Sequence, residues 1–247
     1  MRIRRGLHLV ASGRAGLDLT HPLDCNVFMV DTGAGFVLFD SGAGCDPDRI
    51  IDEIREDGID PGAVVALYLT HGHADHSGGA EPLRRQLPRL RLASGPQTAA
   101  ILATGDERLI SLDGARGRVY PHDYVWAAPR VDDVLQPGRE YRIGALTVMF
   151  LETPGHCDDH GSYLLRHTDG WTALVSGDAL FADGKVFLQD IRDCSVSRTI
   201  ATIRTLGPLS FDRFLPGHGA FTLADGQRHV AAALRFADAG VPPPQAF

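Results

Sequence analysis

Long hydrophobic runs are missing from this sequence, and so are the features of an exported protein. No apolar run approaches the roughly 20 residues that a membrane-spanning helix needs. Residues 1–5 are basic, but the apolar run that follows them, residues 7–11, is short and contains His8, so it does not form the core of a secretory signal. We therefore expect a cytoplasmic protein with no membrane partner.

Cysteine is scarce and dense basic stretches are absent. The chain has four cysteines in 247 residues, and no two of them form a C-x-x-C pair, so a disulfide scaffold is not expected. The formal net charge is -7, so the chain lacks the excess of basic residues that is typical of a nucleic-acid-binding protein. No serine stands in the nucleophile turn of serine hydrolases. The expected partner is a small-molecule substrate, and the oligomeric state is not predicted.

Strand-like and helix-like segments occur in both halves of the chain without an obvious linker, so we expect one domain over residues 1–247. Apolar, β-prone segments predict strands at residues 26–30, 36–40, 63–69, 146–151, 161–166, 172–175 and 211–215. Capping residues and apolar periodicity predict helices at residues 46–55, 195–206 and 223–239. The proline-rich segment 242–244 is predicted to fray. This pattern is compatible with two sheets covered by helices.

The most informative segment is residues 70–76, with the sequence Thr-His-Gly-His-Ala-Asp-His. It places three imidazoles and one carboxylate close together, and both groups bind zinc and similar divalent ions. The segment follows the predicted buried strand at residues 63–69 and precedes the predicted start of a helix. The polar cluster is therefore expected on a loop at a strand end, where a rigid scaffold holds ligands in place.

Other predicted strand ends carry the same kinds of side chain. Asp40 ends the second predicted strand, and His156, Asp178 and His218 follow later ones. These last three each come directly after a glycine-containing turn: Pro-Gly-His, Ser-Gly-Asp and again Pro-Gly-His. Glycine lets the backbone turn sharply there and leaves room at the site. The recurrence favours a metal site over isolated structural histidines.

These motifs, in this order along residues 25–220, resemble those of the metallo-β-lactamase superfamily of hydrolases. The resemblance implies a four-layer α/β fold, the αβ/βα sandwich, in which two mixed β-sheets pack face to face with helices on the outer faces. It also implies seven metal ligands: His71, His73 and His156 for one ion, Asp75, His76 and His218 for the other, and Asp178 as the bridge between them. Asp40 and His160 would orient these ligands without binding metal.

The resemblance further implies the chemistry. Two divalent ions, zinc by preference with iron or manganese as alternatives, lower the pKa of a bound water from ~16 to near ~7 and so provide a metal-bound hydroxide at neutral pH. We predict that Asp75 and Asp178 are essential for catalysis, and that the substrate is a small molecule with an ester-like, lactone or thioester bond. Two alternative hypotheses stay open: an iron-dependent oxidoreductase similar to persulfide dioxygenases, and a β-lactam or phosphodiester hydrolase.

Three differences from known subfamilies of this superfamily narrow the choice of subfamily for this chain. The β-lactamases of the superfamily generally lack a carboxylate equivalent to Asp178. The acyl-homoserine lactonases carry a tyrosine where this sequence has Phe181. The segment after His218 is too short for the glutathione-binding region of glyoxalase II enzymes. We therefore expect a stand-alone hydrolase outside these three groups.

Two segments are predicted to reach the substrate. Residues 118–126 are rich in aromatic side chains and form either a packed surface loop or a lid over the metals. The lid hypothesis assigns substrate contacts to Tyr120, His122, Tyr124 and Trp126. A second wall, after Asp178, would consist of Phe181, Phe187 and Cys194. Aromatic, weakly charged walls suit an uncharged ester, lactone or thioester better than a polyphosphate.

Overall fold

A computed structural model describes residues 1–247 and contains two mixed β-sheets, one in each half of the chain. The chain divides into two units, Met1–Leu135 and Gln136–Phe247. The expectation of a single domain stays a prediction. None of the helices combines the length and the apolar composition that a transmembrane span requires.

The first unit contains a seven-stranded sheet whose strands follow chain order. They are β1 (Arg2–Arg4), β2 (Leu7–Ala11), β3 (Val27–Asp31), β4 (Phe36–Phe39), β5 (Val64–Leu69), β6 (Arg91–Ser94) and β7 (Asp133–Val134). Neighbours from β1 to β4 are antiparallel, and neighbours from β4 to β7 are parallel. Because β4 and β5 are parallel neighbours, their carboxyl ends lie at the same edge of the sheet. Asp40 and the segment 70–76 therefore begin side by side.

Five helices belong to the first unit. They are α1 (Pro47–Glu56), α2 (Ala74–Ser77), α3 (Ala80–Gln86), α4 (Pro96–Thr104) and α5 (Leu112–Ala115). Helix α1 begins where the sequence predicts, because the Asp46 side chain accepts a hydrogen bond from Arg49 N and Pro47 occupies the first turn. Its apolar face buries Ile50, Ile51 and Ile54 in the core of this unit.

The second unit contains a five-stranded sheet in the order β12-β11-β10-β9-β8, with two helices. Its elements are β8 (Glu140–Ile143), β9 (Leu146–Glu152), β10 (Gly161–His167), β11 (Thr172–Gly177), β12 (Arg213–Pro216), α6 (Val196–Leu206) and α7 (Gln227–Asp238). The only parallel pair is β11 with β12, and β10 is antiparallel to both β9 and β11. Strands β9, β11 and β12 therefore end at one edge of the sheet. The residues after those ends are His156, Asp178 and His218.

The predicted strands and helices lie within about two residues of their observed bounds, except at one end of the last helix. That helix begins at Gln227 rather than at residue 223, because Asp225 adopts a positive φ of 53° and Gly226 forms the cap. The structure adds elements that were not predicted from the sequence: β1, β2, β6, β7, β8, α2, α4 and α5.

The prediction that residues 242–244 fray is wrong. Val186 N donates a hydrogen bond of 3.0 Å to Pro244 O, and Ala246 N donates one of 2.8 Å to Val186 O. Pro243 is buried. Backbone pairing with a distant segment orders this tail, and no local sequence signal indicates such pairing.

The buried imidazole of His229, on α7, gives a pH-dependent stability prediction. Its Nδ1 accepts a 2.8 Å hydrogen bond from Asp183 N, so the proton of the neutral ring is on Nε2, 3.2 Å from Thr222 Oγ1. Burial, followed by the charge of Arg228, lowers the pKa of His229, although Asp183 opposes the shift. The unfolded chain therefore takes up the proton first on acidification, and stability is lost as pH falls below about 6.5.

We expect the loss of unfolding free energy between pH 8 and pH 5.5 to be smaller in His229→Asn than in the unchanged protein. The Asn side chain keeps an acceptor for Asp183 N but does not titrate, and loss of the Thr222 contact costs about 1 kcal/mol at pH 8. Urea unfolding at both pH values measures the difference. Other groups titrate in both proteins and cancel, so an equal loss in the two proteins would contradict the assignment.

Candidate metal-ligand clusters

In the first unit, His71, His73, Asp75 and His76 form one group, here named the His-loop cluster. His71 and His73 lie on the turn after β5, and Asp75 and His76 lie on α2. The ring centroids of His71 and His73 are 4.7 Å apart, and those of His71 and His76 are 4.1 Å apart. Asp75 Oδ2 is 3.7 Å from His76 Nε2. All three imidazoles are buried or nearly so.

Asp40 and Thr70 hold two of these imidazoles through their Nδ1 atoms. His76 Nδ1 lies 2.9 Å from Asp40 Oδ2, and His71 Nδ1 lies 2.9 Å from Thr70 Oγ1. Thr70 Oγ1 is in turn 2.9 Å from Asp40 Oδ2, and Thr70 N donates to Asp40 Oδ1 at 2.8 Å. A carboxylate only accepts, so His76 carries its proton on Nδ1 and donates it to Asp40. The Thr70 hydroxyl donates its one proton to Asp40 and therefore accepts from His71, which also carries its proton on Nδ1. A metal ion would then bind these two rings through Nε2, as in carboxylate–histidine–metal arrangements.

The backbone around α2 is held by the loop between β4 and α1, which contains Ser41 and Ala43. Ser41 N and Ser41 Oγ both donate to His76 O, at 2.9 and 2.6 Å. A Cβ atom at Gly79 would lie 1.9 Å from Ser41 O, so only glycine fits between α2 and this loop. This close approach explains Gly79, and Gly78 is required as well because a Cβ atom there would lie 2.4 Å from Ala43 O.

Tyr120 contacts the His-loop cluster directly. Its hydroxyl donates a 3.1 Å hydrogen bond to Asp75 Oδ1. Burial raises the pKa of Tyr120 well above its ordinary value, and the neighbouring Asp75 carboxylate raises it further. The phenol therefore remains protonated and orients the Asp75 carboxylate.

The other aromatic residues of the segment 118–126 support the packed alternative. Tyr124 donates a 2.6 Å hydrogen bond to Ala43 O, and Trp126 Nε1 donates a 3.0 Å bond to Ser77 Oγ. Both rings belong to the apolar core of the first unit. His122 is exposed. Tyr124 and Trp126 thus brace α2 and its neighbouring loop, and their polar atoms are occupied there.

In the second unit, His156, Asp178 and His218 form the Asp178 cluster. Asp178 Oδ2 is 3.6 Å from His156 Nε2 and 3.5 Å from His218 Nε2. All three side chains are largely buried, with exposures of 3%, 4% and 12%. One carboxylate oxygen therefore lies between two imidazole nitrogens.

Two members of this cluster, His156 and Asp178, have positioning contacts. His156 Nδ1 is 3.2 Å from Phe187 O. Asp178 N donates a 2.9 Å hydrogen bond to His160 Nε2, whose Nδ1 is 2.9 Å from Thr153 Oγ1. His160 therefore contacts the backbone of Asp178, where the resemblance implies a supporting residue. It holds the start of the loop that carries the carboxylate.

Gly155 shapes the turn that presents His156. Its φ is +146°, and a Cβ atom there would lie 2.5 Å from Thr199 Oγ1 at the start of α6. A side chain at this position is excluded both by the backbone conformation and by the helix. The glycine requirement predicted at this turn is therefore confirmed.

The donor chemistry of both clusters suits a divalent metal ion. Ligands 2.0–2.1 Å from a tetrahedral ion lie roughly 3.3 Å from one another. The separations of 3.5, 3.6 and 3.7 Å between carboxylate oxygen and imidazole Nε2 are close to that value and exceed a good hydrogen bond. His76 and His156 make the contacts described above through Nδ1, and the Nε2 atom of each lies within 3.7 Å of a carboxylate oxygen of its cluster.

The cysteines lie outside the ligand set that the resemblance implies. The chain has four free cysteines, of which Cys25 and Cys157 are buried. Burial raises the pKa of Cys25 to about 12, and it raises the pKa of Cys157 further, with Asp159 adding to the effect. Without a metal ion, both thiols therefore stay protonated at neutral pH. Cys194 is half-buried, and its Sγ accepts from Gln189 N at 3.4 Å.

Three residues at the clusters were not singled out from the sequence. Thr70 and Thr153 were not assigned roles, although each follows or ends a strand and adjoins the motifs. The third is Phe247, whose ring centroid lies 6.2 Å from that of His218. No sequence signal links Phe247 to a histidine so far away in the chain.

Comparison with known proteins extends this description. Residues 21–218 match the sequence model of the metallo-β-lactamase superfamily. The chain is 26% identical over 196 residues to an atrochrysone carboxyl ACP thioesterase of Aspergillus fumigatus, a match that covers 79% of this chain and 50% of that protein. It is 30% identical over 164 residues to a human hydroxyacylglutathione hydrolase-like protein, covering 66% of this chain and 46% of that protein. The chain thus spans about half the length of these relatives.

The structure resembles the metallo-β-lactamase GOB-18 of Elizabethkingia meningoseptica, with a TM-score of 0.73 and 16% identity, over 97% of this chain and 89% of that one. At this identity the likeness concerns the fold alone. It confirms the predicted fold class of two mixed β-sheets with helices. Because the superfamily model covers most of the chain, this protein belongs to the metallo-β-lactamase superfamily, a family of hydrolases.

Proposed function

We propose that this protein hydrolyses the thioester or a similar ester-like bond of a small molecule with the help of two divalent metal ions. The observation that carries the proposal is the position of Asp178 Oδ2, 3.6 Å from His156 Nε2 and 3.5 Å from His218 Nε2. A buried carboxylate oxygen beside two imidazole nitrogens matches the ligand chemistry of a shared cation.

The proposed ligands follow the order of the superfamily motifs. His71, His73 and His156 would hold one ion, Asp75, His76 and His218 the other, and Asp178 both. This assignment rests on family membership and on the donors present within each cluster. Zinc is the preferred metal because imidazole and carboxylate form its usual protein sites, and iron or manganese also suits them.

The residues of the chain have separate roles in this proposal. Bound divalent ions would lower the pKa of a water molecule and polarise the carbonyl of the substrate. Asp75 and Asp178 offset part of the positive charge. Tyr120 holds the Asp75 carboxylate through its 3.1 Å hydrogen bond, and His160 holds the backbone of Asp178.

A thioester is favoured among the ester-like bonds by the relatives. One is named as an ACP thioesterase and another as a hydroxyacylglutathione hydrolase-like protein, and both names describe acyl groups on sulfur. The β-lactam, phosphodiester and iron-dependent oxidoreductase alternatives stay open as outcomes of the test. The cytoplasmic location stays a prediction.

A hydrolysis screen tests the proposal. Zinc-loaded protein is offered S-acetyl-N-acetylcysteamine, a p-nitrophenyl ester, a lactone, a chromogenic cephalosporin and bis-p-nitrophenyl phosphate. We expect the thioester to have a kcat/KM at least about tenfold above the cephalosporin and the phosphodiester, a discrimination of ~1.4 kcal/mol. Removing metal with a chelator should abolish turnover, and added zinc should restore it.

Two outcomes would contradict the proposal. One is a preference for the phosphodiester or the cephalosporin over every ester and thioester. The other is hydrolysis that persists when metal analysis shows the protein to be metal-free. Iron in protein purified without added metal, together with an absence of hydrolysis, would favour the oxidoreductase alternative.

A further inference from the structure

The tail of the second unit is paired with the segment that follows Asp178. Val186 and Gln245 form a parallel β-bridge, flanked by the two backbone hydrogen bonds described above. The side chain of Gln245 adds a third bond, because its Oε1 accepts from Leu188 N at 3.0 Å. This pairing fixes the direction of the chain as it reaches Phe247.

The ring of Phe247 meets three other rings edge-on. Its centroid lies 5.4 Å from Phe181, 5.6 Å from Phe187 and 6.2 Å from His218, with interplanar angles of 79°, 87° and 87°. Phe187 is also stacked against His156, at 6.3 Å between centroids. Phenylalanine rings therefore adjoin two of the histidines in the Asp178 cluster. We name Phe181, Phe187 and Phe247 the aromatic wall.

The exposure of these rings differs in a way that points to a ligand surface. Phe181 is 3% exposed and Phe187 is half-buried, whereas Phe247 is 58% exposed. Phe181 therefore belongs to the packed interior, and Phe247 presents an apolar face to solvent while three rings restrain it. Covering such a face with an apolar group removes it from water and is favourable.

We propose that the aromatic wall binds the acyl group of the substrate and selects an uncharged aromatic acyl group over a small one such as acetyl. This inference rests on the proposed function and names the substrate class for that same reaction. Edge-to-face contacts between aromatic rings stabilise binding by more than the buried apolar area alone provides. An acetyl group cannot make such contacts. Phe247 is the specificity-determining residue because it is the most exposed member of the aromatic wall.

The test combines hydrolysis with binding. S-Benzoyl- and S-acetyl-N-acetylcysteamine are compared as substrates of the zinc-loaded protein and of Phe247→Ala. Binding of the stable amide analogue N-(2-acetamidoethyl)benzamide is measured by calorimetry in parallel. We expect the ratio of kcat/KM for benzoyl over acetyl to fall about tenfold in Phe247→Ala, and the affinity for the benzamide to fall by a similar factor.

Val241→Ala is the matched control, because Val241 is an exposed apolar residue of the same tail, 47% exposed. It should retain both the substrate ratio and the benzamide affinity. Zinc content and the urea midpoint of Phe247→Ala should match those of the unchanged protein, which shows that the wall and not the fold has been altered.

The outcomes separate the two proposals. Thioester hydrolysis with an unchanged benzoyl-to-acetyl ratio and unchanged benzamide affinity in Phe247→Ala overturns the aromatic wall and leaves the proposed function. Weaker benzamide binding by Phe247→Ala, with no thioester hydrolysed by either protein, supports the wall as a binding surface and overturns the proposed function. If the unchanged protein neither binds the benzamide nor prefers the benzoyl thioester, the wall is also overturned.

Discussion

Replacing Asp178 with asparagine is expected to lower kcat/KM by roughly a thousandfold, which corresponds to ~4 kcal/mol of transition-state stabilisation. The asparagine has nearly the same shape but no charge, and its amide cannot replace the carboxylate that the proposed mechanism shares between two cations. The backbone hydrogen bond from Asp178 N to His160 should survive, because it does not involve the side chain. The fold should therefore persist while the chemistry is lost.

Steady-state kinetics on the best substrate from the screen, together with metal analysis, measure this effect. We expect Asp178→Asn to bind fewer than two metal ions per chain at a zinc concentration that saturates the unchanged protein. Asp169→Asn serves as the control, because Asp169 is an exposed acid in a turn of the same unit. Undiminished turnover in Asp178→Asn would exclude the two-metal mechanism.

Replacing Asp40 with asparagine is expected to weaken zinc binding by about 10- to 100-fold without a change in any proposed ligand. The carboxylate accepts from His76 Nδ1 at 2.9 Å and keeps the proton of that ring on Nδ1. If the asparagine amide turns its NH2 group toward the ring, His76 Nδ1 must accept instead. The proton then moves to Nε2 and blocks the nitrogen that would bind metal.

Asparagine is the informative replacement because Asp40 has a positive φ of 64°. Asparagine and aspartate tolerate this left-handed conformation better than alanine, so backbone strain contributes little to the result. The buried hydrogen bonds to Thr70 are also partly preserved. The remaining mismatch should reduce the unfolding free energy by about 1–3 kcal/mol.

Competition with a chromophoric chelator measures the zinc dissociation constant, and urea unfolding of the metal-free protein measures stability. Thr70→Ser is the matched variant, because it retains the hydroxyl that lies between Asp40 and His71. It should bind zinc nearly as tightly as the unchanged protein. Equal zinc affinity in Asp40→Asn would show that this carboxylate does not control the ring of His76.

The elements with local signals were the predictable part of the fold. Helix α1 has a capping aspartate, a proline in the first turn and isoleucines on one face, and all of these act within a few residues. Strand β7, by contrast, has only two residues, and β8 is only partly buried. Their position depends on pairing with distant strands, for which the sequence carries no local pattern.

The candidate ligands could also be predicted from the sequence, because each follows a strand end in a recognisable motif. The contacts of the residues around them could not. Tyr124 and Trp126 attach to Ala43 and Ser77, so their role depends on which loop they meet in the folded chain. Composition alone left both the lid and the packed loop open. The pairing of the tail with Val186 is a further contact between distant segments, and the expectation of a frayed end failed for that reason.

The proximity of Phe247 to His218 has a practical consequence for how the protein is produced. A polyhistidine purification tag fused after Phe247 would start beside the Asp178 cluster and carry extra imidazoles to it. Zinc titrations on such material would count tag nitrogens together with those of His156 and His218. Affinity handles are better attached ahead of Met1 and cleaved before any stoichiometry is determined.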